Sequence, residues 1–203
     1  MKTSLVAIAT IFALLFTACN NAEKLPTYGP RTANGTTDSA DYILPAFAFI
    51  NQDSALVNTT TLKDKIFIAE FFFTSCPSIC PKMQAQMLRV YEKYKGNKEI
   101  VILAFTIDPD RDSVARLQAY ANKLGVQSPQ WHFLTGVKDS LYATAANFLI
   151  SAEEDPDAPG GHIHSGNFVL VDKQRKLRGY YDGVDEKSVD KLLTEMDVLL
   201  KEE

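Results

Sequence analysis

Two cysteines four positions apart, Cys76 and Cys80, are the residues of this chain best equipped for chemistry. A thiolate is both the nucleophile of disulfide exchange and a ligand for soft metals. Held side by side, two of them can chelate an ion such as Cu(I) or close reversibly into a disulfide. Two thiolates are too few for a closed metal site, and imidazole is a donor that copper accepts. The chain offers three histidines. His132 lies in a short apolar stretch beside Trp131 and reads as structural. His162 and His164 stand in a glycine-rich loop just before a strand, from which a side chain could reach the cysteines. If the backbone there is extended, both point to the same side, so the residues alone leave either as the third donor.

The elements that position the cysteines follow from pattern. Residues 66–73 form an apolar run too short for a membrane span and rich in β-formers, which predicts a strand buried on both faces. From Pro81 onward, apolar residues fall at 83, 87, 90, 91 and 94, the spacing of a helix. Pro81 suits its first turn, where a missing N–H costs nothing. Cys76 and Cys80 therefore sit where a buried strand turns into a helix. The positive end of the helix dipole favours thiolate over thiol there.

The rest of the chain repeats the alternation. A hairpin is predicted from residues 46–50 and the short run at Leu56-Val57, and a second buried strand covers 99–107. It ends at Asp108-Pro109-Asp110-Arg111-Asp112-Ser113, where Asp112 or Ser113 can cap a helix over 114–124 that Gly125 terminates. A strand over 131–135, a helix from about 138 to 148, an acidic solvated loop over 151–161 and a late hairpin over 167–181 follow. An amphipathic helix over 185–200 closes the chain. This is an α/β pattern with a central sheet covered by helices on both faces. Sites in such sheets lie beyond the carboxyl ends of the strands, where Cys76, Cys80 and Asp108 all fall. Asp108 could tune the thiols, orient an imidazole, or cap the turn into Pro109. Arg111 and Asp112 read as a surface ion pair and a cap.

The 203 residues, 46% of them apolar, suffice for one well-packed domain. A net charge of −4 with scattered Lys and Arg gives no nucleic-acid footprint, and neither a phosphate loop nor an internal repeat is present. At the N-terminus, Lys2 precedes an apolar run over residues 5–16 that is too short to span a bilayer, and Thr17-Ala18-Cys19 follows. The arrangement resembles a bacterial lipoprotein signal, residues 1–18, with Cys19 as the lipidated residue. Phe16 stands where leucine is usual. Residues 19–41 are polar and aperiodic and are expected to form a flexible tether, leaving a folded domain over 42–203. Setting Cys19 aside leaves Cys76 and Cys80 as a pair in an oxidising compartment.

Four segments together resemble the Sco/SenC family of thioredoxin-like copper chaperones for cytochrome c oxidase assembly, over about residues 42–200. Phe73-Thr74-Ser75-Cys76-Pro77-Ser78-Ile79-Cys80-Pro81 matches its Cys-x-x-x-Cys-Pro motif. Asp108-Pro109-Asp110-Arg111-Asp112 resembles its Asp-Pro-x-Arg-Asp segment, and Trp131-His132-Phe133-Leu134-Thr135-Gly136 its Trp-x-x-Leu-Thr-Gly segment. His164-Ser165 ahead of residues 168–172 resembles the family's His-Ser/Thr before a late strand. Ser75 departs from the histidine that many members carry. The resemblance implies a thioredoxin-like fold, a central mixed sheet flanked by helices with an N-terminal β-hairpin. It makes Cys76, Cys80 and His164 the copper ligands and leaves Asp108 and His162 as accessory residues. His162 is an unusual second histidine that would hold copper in transit or simply be solvated.

Three functions compete. A metallochaperone would pass copper by ligand exchange to an oxidase subunit, using a periplasmic thiol–disulfide reductant to keep its cysteines reduced. A thiol–disulfide oxidoreductase would use Cys76 and Cys80 as a redox dithiol. Against it stand the three-residue spacing and the lack of a proline between 161 and 168, where thioredoxin-like reductases place one. A peroxidase arrangement of Pro-x-x-x-Thr-x-x-Cys is absent before either cysteine. A lipid-anchored binding module with a structural disulfide is the third class, but a disulfide closing so small a loop removes little unfolded-state entropy.

Overall fold

Strands β3 (Ile66–Phe72) and β4 (Ile100–Thr106) are buried along their whole length, and they pair in parallel from Ile66↔Ile100 to Phe72↔Thr106. In this computed structural model, which describes residues 24–30 and 41–202, they form the centre of a seven-stranded sheet. Its other strands are β1 (Ala48–Asn51), β2 (Leu56–Asn58), β5 (Trp131–Thr135), β8 (Asn167–Val171) and β9 (Leu177–Asp182), in the order β2-β1-β5-β4-β3-β8-β9. β5 runs parallel to β4, while β1, β2, β8 and β9 pair antiparallel with their neighbours. The sheet is mixed, and the expected hairpin over β1 and β2 forms its far edge.

Helices α1 (Cys80–Lys93), α2 (Val114–Leu124), α3 (Lys138–Asn147) and α4 (Glu186–Glu202) complete the domain. Alternation along β3 shows how they divide. Glu70 and Phe72 face α1 and α2, through the Gln84 amide and the Tyr120 ring. Phe67 and Phe71 face the other way, onto Phe148 just past α3. Covered on both faces, these strands need apolar residues at successive positions, which is why they read as unbroken runs. Phe105 is the hub of the second face: its ring lies 5.1 Å from Phe71, 5.5 Å from Phe47, 5.6 Å from Phe148 and 5.7 Å from Phe49.

Two local readings are revised. Residues 152–154 of the expected acidic loop form a strand, β6 (Ala152–Glu154), paired antiparallel with β7 (His162–His164) in a separate small arm. Gly160 and Gly161, both in the left-handed region, close it. Within the expected tether, residues 24–30 lie against the sheet. Arg178, nearly buried, donates to the carbonyls of Leu25 and Pro26 and pairs with Asp172 and Glu202. Tyr28 bridges to Leu177. The signal and Cys19 lie outside the described residues. Among those described, no helix is long and apolar enough to cross a membrane.

Candidate metal centre

β3 and β4 end side by side, and everything that could do chemistry gathers just beyond them. Four residues past Phe72, Cys76 sits in a turn closed by its own N–H donating to the Phe73 carbonyl, 3.2 Å. Cys80 is the first residue of α1 and Pro81 lies in its first turn. That end carries no side-chain cap and no acidic residue in its first turn, so nothing else neutralises the helix dipole facing the thiols.

The third group arrives from the far side of the sheet end. β8 runs antiparallel to β3, so the arm that precedes it lies at the same pole, and β7 delivers its residues across the cysteines. As extended backbone requires, His162 and His164 point to one side while Ile163 between them is 43% exposed. The cysteine sulfurs and a His164 ring nitrogen all lie within 4.8 Å of one another. Cys80 Sγ is 3.5 Å from His164 Nε2. The other ring nitrogen, Nδ1, is 3.1 Å from the Ser165 carbonyl. A carbonyl only accepts, so Nδ1 holds the proton and Nε2 presents its lone pair to the sulfurs. Both cysteines are free thiols. Beside them a cavity of about 180 Å³, lined in part by Phe73, Cys76, Ile79 and His164, opens to solvent.

The two thiols are unlike. Hydrogen bonding from Cys80 holds Cys76 down to about 3, against its partial burial and helped by nearby backbone. Cys80 is pushed up by the same partnership and by burial. Metal-free and reduced, the pair is therefore a thiolate at 76 sharing the proton of a thiol at 80. Since only the thiolate reacts, alkylation of Cys76 should keep its rate from about pH 8 down to about pH 5. An ordinary thiol loses about tenfold per unit over that range. Peptide mapping by mass spectrometry of the iodoacetamide-treated wild type, which separates Cys76 from Cys80, checks this; Cys80→Ala removes the donor and should raise Cys76. A wild-type rate falling tenfold per unit would contradict it.

The remaining candidates take other places. The Asp108 carboxylate does not reach His164; it pairs with Arg111 at 3.3 Å and stands 3.6 Å from His162 Nε2. Asp108 also turns the chain, its carbonyl accepting from the N–H groups of Arg111 and Asp112. His162 is not solvated. Its side chain is 7% exposed, with Tyr142 Oη 3.2 Å from Nδ1 and the Phe73 ring at 5.2 Å. Arg111 also donates to the Gly160 carbonyl, so Asp108, Arg111 and His162 together fasten the arm that carries His164. His132 is structural, as expected, and pairs with Asn51.

Sequence reasoning missed Asp112. It neither caps α2, where Ser113 accepts from Arg116 N–H, nor lies at the surface. Its buried carboxylate accepts from the Thr74 N–H at 3.0 Å, the Thr74 hydroxyl and the Thr106 hydroxyl at 2.6 Å. Arg116 stands 3.6 Å away. Asp112 thus ties the loop leading to Cys76 onto the end of β4. The signal in the sequence was a threonine closing each buried run.

Comparison with known proteins places this arrangement. The SCO1/SenC family profile matches residues 35–200. A SCO1 protein homolog of Bacillus subtilis is 30% identical over 161 residues, covering 78% of this chain and 83% of that one. The crystal structure of a SCO1/SenC family lipoprotein from Bacillus anthracis superposes with a TM-score of 0.72 at 28% identity, over 79% of this chain and 96% of that one. BsSco, in which a disulfide switch was identified and which belongs to the Sco family of cytochrome c oxidase assembly proteins, gives 0.69 at 30% identity, over 80% and 95%. The profile across most of the chain, the sequence identities and the superpositions agree: the protein is a member of the SCO1/SenC family, with its thioredoxin-like fold.

Proposed function

We propose that the protein is a copper-binding metallochaperone that holds the ion on Cys76, Cys80 and His164 and delivers it to the binuclear copper site of a respiratory cytochrome c oxidase. The observation that carries this is the convergence of two thiol sulfurs and an imidazole lone pair within 4.8 Å. Two soft sulfurs with one nitrogen suit Cu(I), and three donors at an open edge leave room for an incoming ligand from an acceptor. Transfer then proceeds by exchange, one donor of the acceptor binding before one of these leaves. Copper displaces the shared Cys80 proton, and Nε2 needs none removed. The assembly role assigned to BsSco supports an oxidase as the client.

In this reading the chain is exported, tethered to the membrane through lipid on Cys19 and facing the periplasm. Two-electron oxidation of Cys76 and Cys80 to a disulfide removes both sulfur donors, so a thiol reductant licenses loading. The unequal thiols favour a second use of the same pair. Cys76 thiolate attacks an acceptor disulfide, releasing one acceptor sulfur as thiolate. Cys80, losing its proton, then attacks the mixed bond, leaving a Cys76–Cys80 disulfide and a fully reduced acceptor. Reducing the acceptor and then loading it would use one site in sequence.

The test mixes the protein carrying one Cu(I) with the apo, reduced copper-binding domain of an oxidase subunit under anaerobic conditions. Copper is expected to elute with the acceptor. Copper that stays behind, while the metal-free reduced protein readily reduces the oxidised acceptor, would make this a reductase instead.

A further inference from the structure

Glu70 lies in the middle of β3 and is completely buried. Its Oε1 accepts a 3.0 Å hydrogen bond from Gln84 Nε2. Its Oε2 meets no donor, and neither does Gln84 Oε1, although both are sealed from solvent. Two buried acceptor oxygens on one interacting pair, each without a donor, is an arrangement that folded proteins avoid. One added proton resolves both at once. A carboxylic acid at Glu70 donates from Oε2 to Gln84 Oε1 while Oε1 keeps accepting from Nε2, closing a ring of two hydrogen bonds.

The surroundings agree. Burial pushes the carboxyl up to about 8, opposed only in part by the Gln84 amide. Among the described residues, the groups around it bring no cation: α1 presents Gln84 and Cys80, α2 presents the Tyr120 phenol, and β4 pairs Ala104 with Glu70. Gln84 lies one turn beyond Cys80 on the same helix.

We propose that Glu70 is a carboxylic acid at neutral pH, and that its hydrogen-bonded ring with Gln84 fixes α1 against β3 and gives the cysteine pair an uncharged floor. Glu70 is a positioning residue; it touches neither sulfur. Its neutrality matters because two thiolates holding Cu(I) carry a net negative charge, which a carboxylate beneath Cys80 would repel. Below about pH 8 that repulsion is absent. Above it Glu70 ionises in the metal-free protein, and binding must first return a proton to it.

Infrared spectroscopy of the reduced, metal-free protein tests the proton directly and does not depend on the copper reading. A carboxylic acid carbonyl band is expected at pH 7, absent from Glu70→Gln and fading as pH rises through about 8. In Gln84→Leu the band should shift to higher frequency, because its carbonyl loses the amide donor. No Glu70 band at pH 7, or a band that Gln84→Leu leaves unmoved, overturns the proposal. Copper competition gives a second readout that rests on the proposed function. Glu70→Gln, which retains a neutral partner for Gln84, should match wild type within about twofold at pH 7 and bind roughly tenfold tighter at about pH 9.5. A tenfold gain already at pH 7 would mean that Glu70 is charged there and overturns the proposal. Should neither protein bind copper, the copper reading falls, and the infrared band still decides the state of Glu70.

Discussion

Replacing Cys80 with alanine is expected to weaken one-to-one Cu(I) binding by at least about a thousandfold, roughly 4 kcal/mol of binding free energy. Cys80 contributes more than a sulfur. Its thiol is the hydrogen-bond donor that holds Cys76 as a thiolate, and its Sγ stands 3.5 Å from His164 Nε2, so the substitution disturbs all three donors. Cys76→Ala should fall in the same range, since it removes the thiolate itself. His164→Ala leaves both sulfurs in place and should cost less, roughly ten- to a hundredfold, in line with loss of one neutral donor. His162→Ala is the informative control. His162 faces Asp108 and Tyr142 rather than the sulfurs, so its loss should loosen the arm and weaken binding less than His164→Ala. Competition against a Cu(I) chelator under anaerobic conditions measures all four. Equal losses for His162→Ala and His164→Ala would contradict the division of labour between the two imidazoles.

The largest effect on folding is expected on the face of the sheet opposite α1, at Phe105. Its buried ring contacts those of Phe47, Phe49, Phe71 and Phe148, drawn from the N-terminal hairpin region, β3 and the segment after α3. Phe105→Ala should therefore cost about 4 kcal/mol, transfer and cavity terms together. That is a large share of the stability of a domain this size. In urea the midpoint should drop by about 2 M at an unchanged slope, taking a slope of about 2 kcal/mol per molar. A loss below about 1 kcal/mol would mean that the five rings do not form one packed unit.

The contrast between these sites explains what could be read in advance. β3 and β4 announce themselves because burial on both faces forces runs that are apolar at all but one of seven positions, and Cys76, Cys80 and Pro81 follow at a visible change of period. The parity of His162 and His164 was legible for the same reason. Their different partners were not, because Asp108, Tyr142 and Cys80 approach through tertiary packing that no spacing encodes. Asp112 looked like a cap, being two residues before a helix, yet its partners Thr74 and Thr106 lie 38 and 6 positions away. The β6–β7 arm escaped because a three-residue strand of Ala and Glu carries no β signal, and its pairing depends on left-handed backbone at Gly160 and Gly161. Residues 24–30 looked like free chain because what holds them is Arg178, 153 positions from Leu25, reaching for backbone carbonyls. Glu70 was in plain view as an acid inside a buried strand, an arrangement that demands either a partner or a proton.

The central claim is that Cys76, Cys80 and His164 together hold copper, and X-ray absorption at the copper edge tests it most directly. The reduced protein loaded with one equivalent of Cu(I) is expected to show a first shell of two sulfurs and one imidazole nitrogen, with the imidazole scattering lost in His164→Ala and retained in His162→Ala. A shell without sulfur, or imidazole scattering that disappears with His162 and survives the loss of His164, would contradict the account.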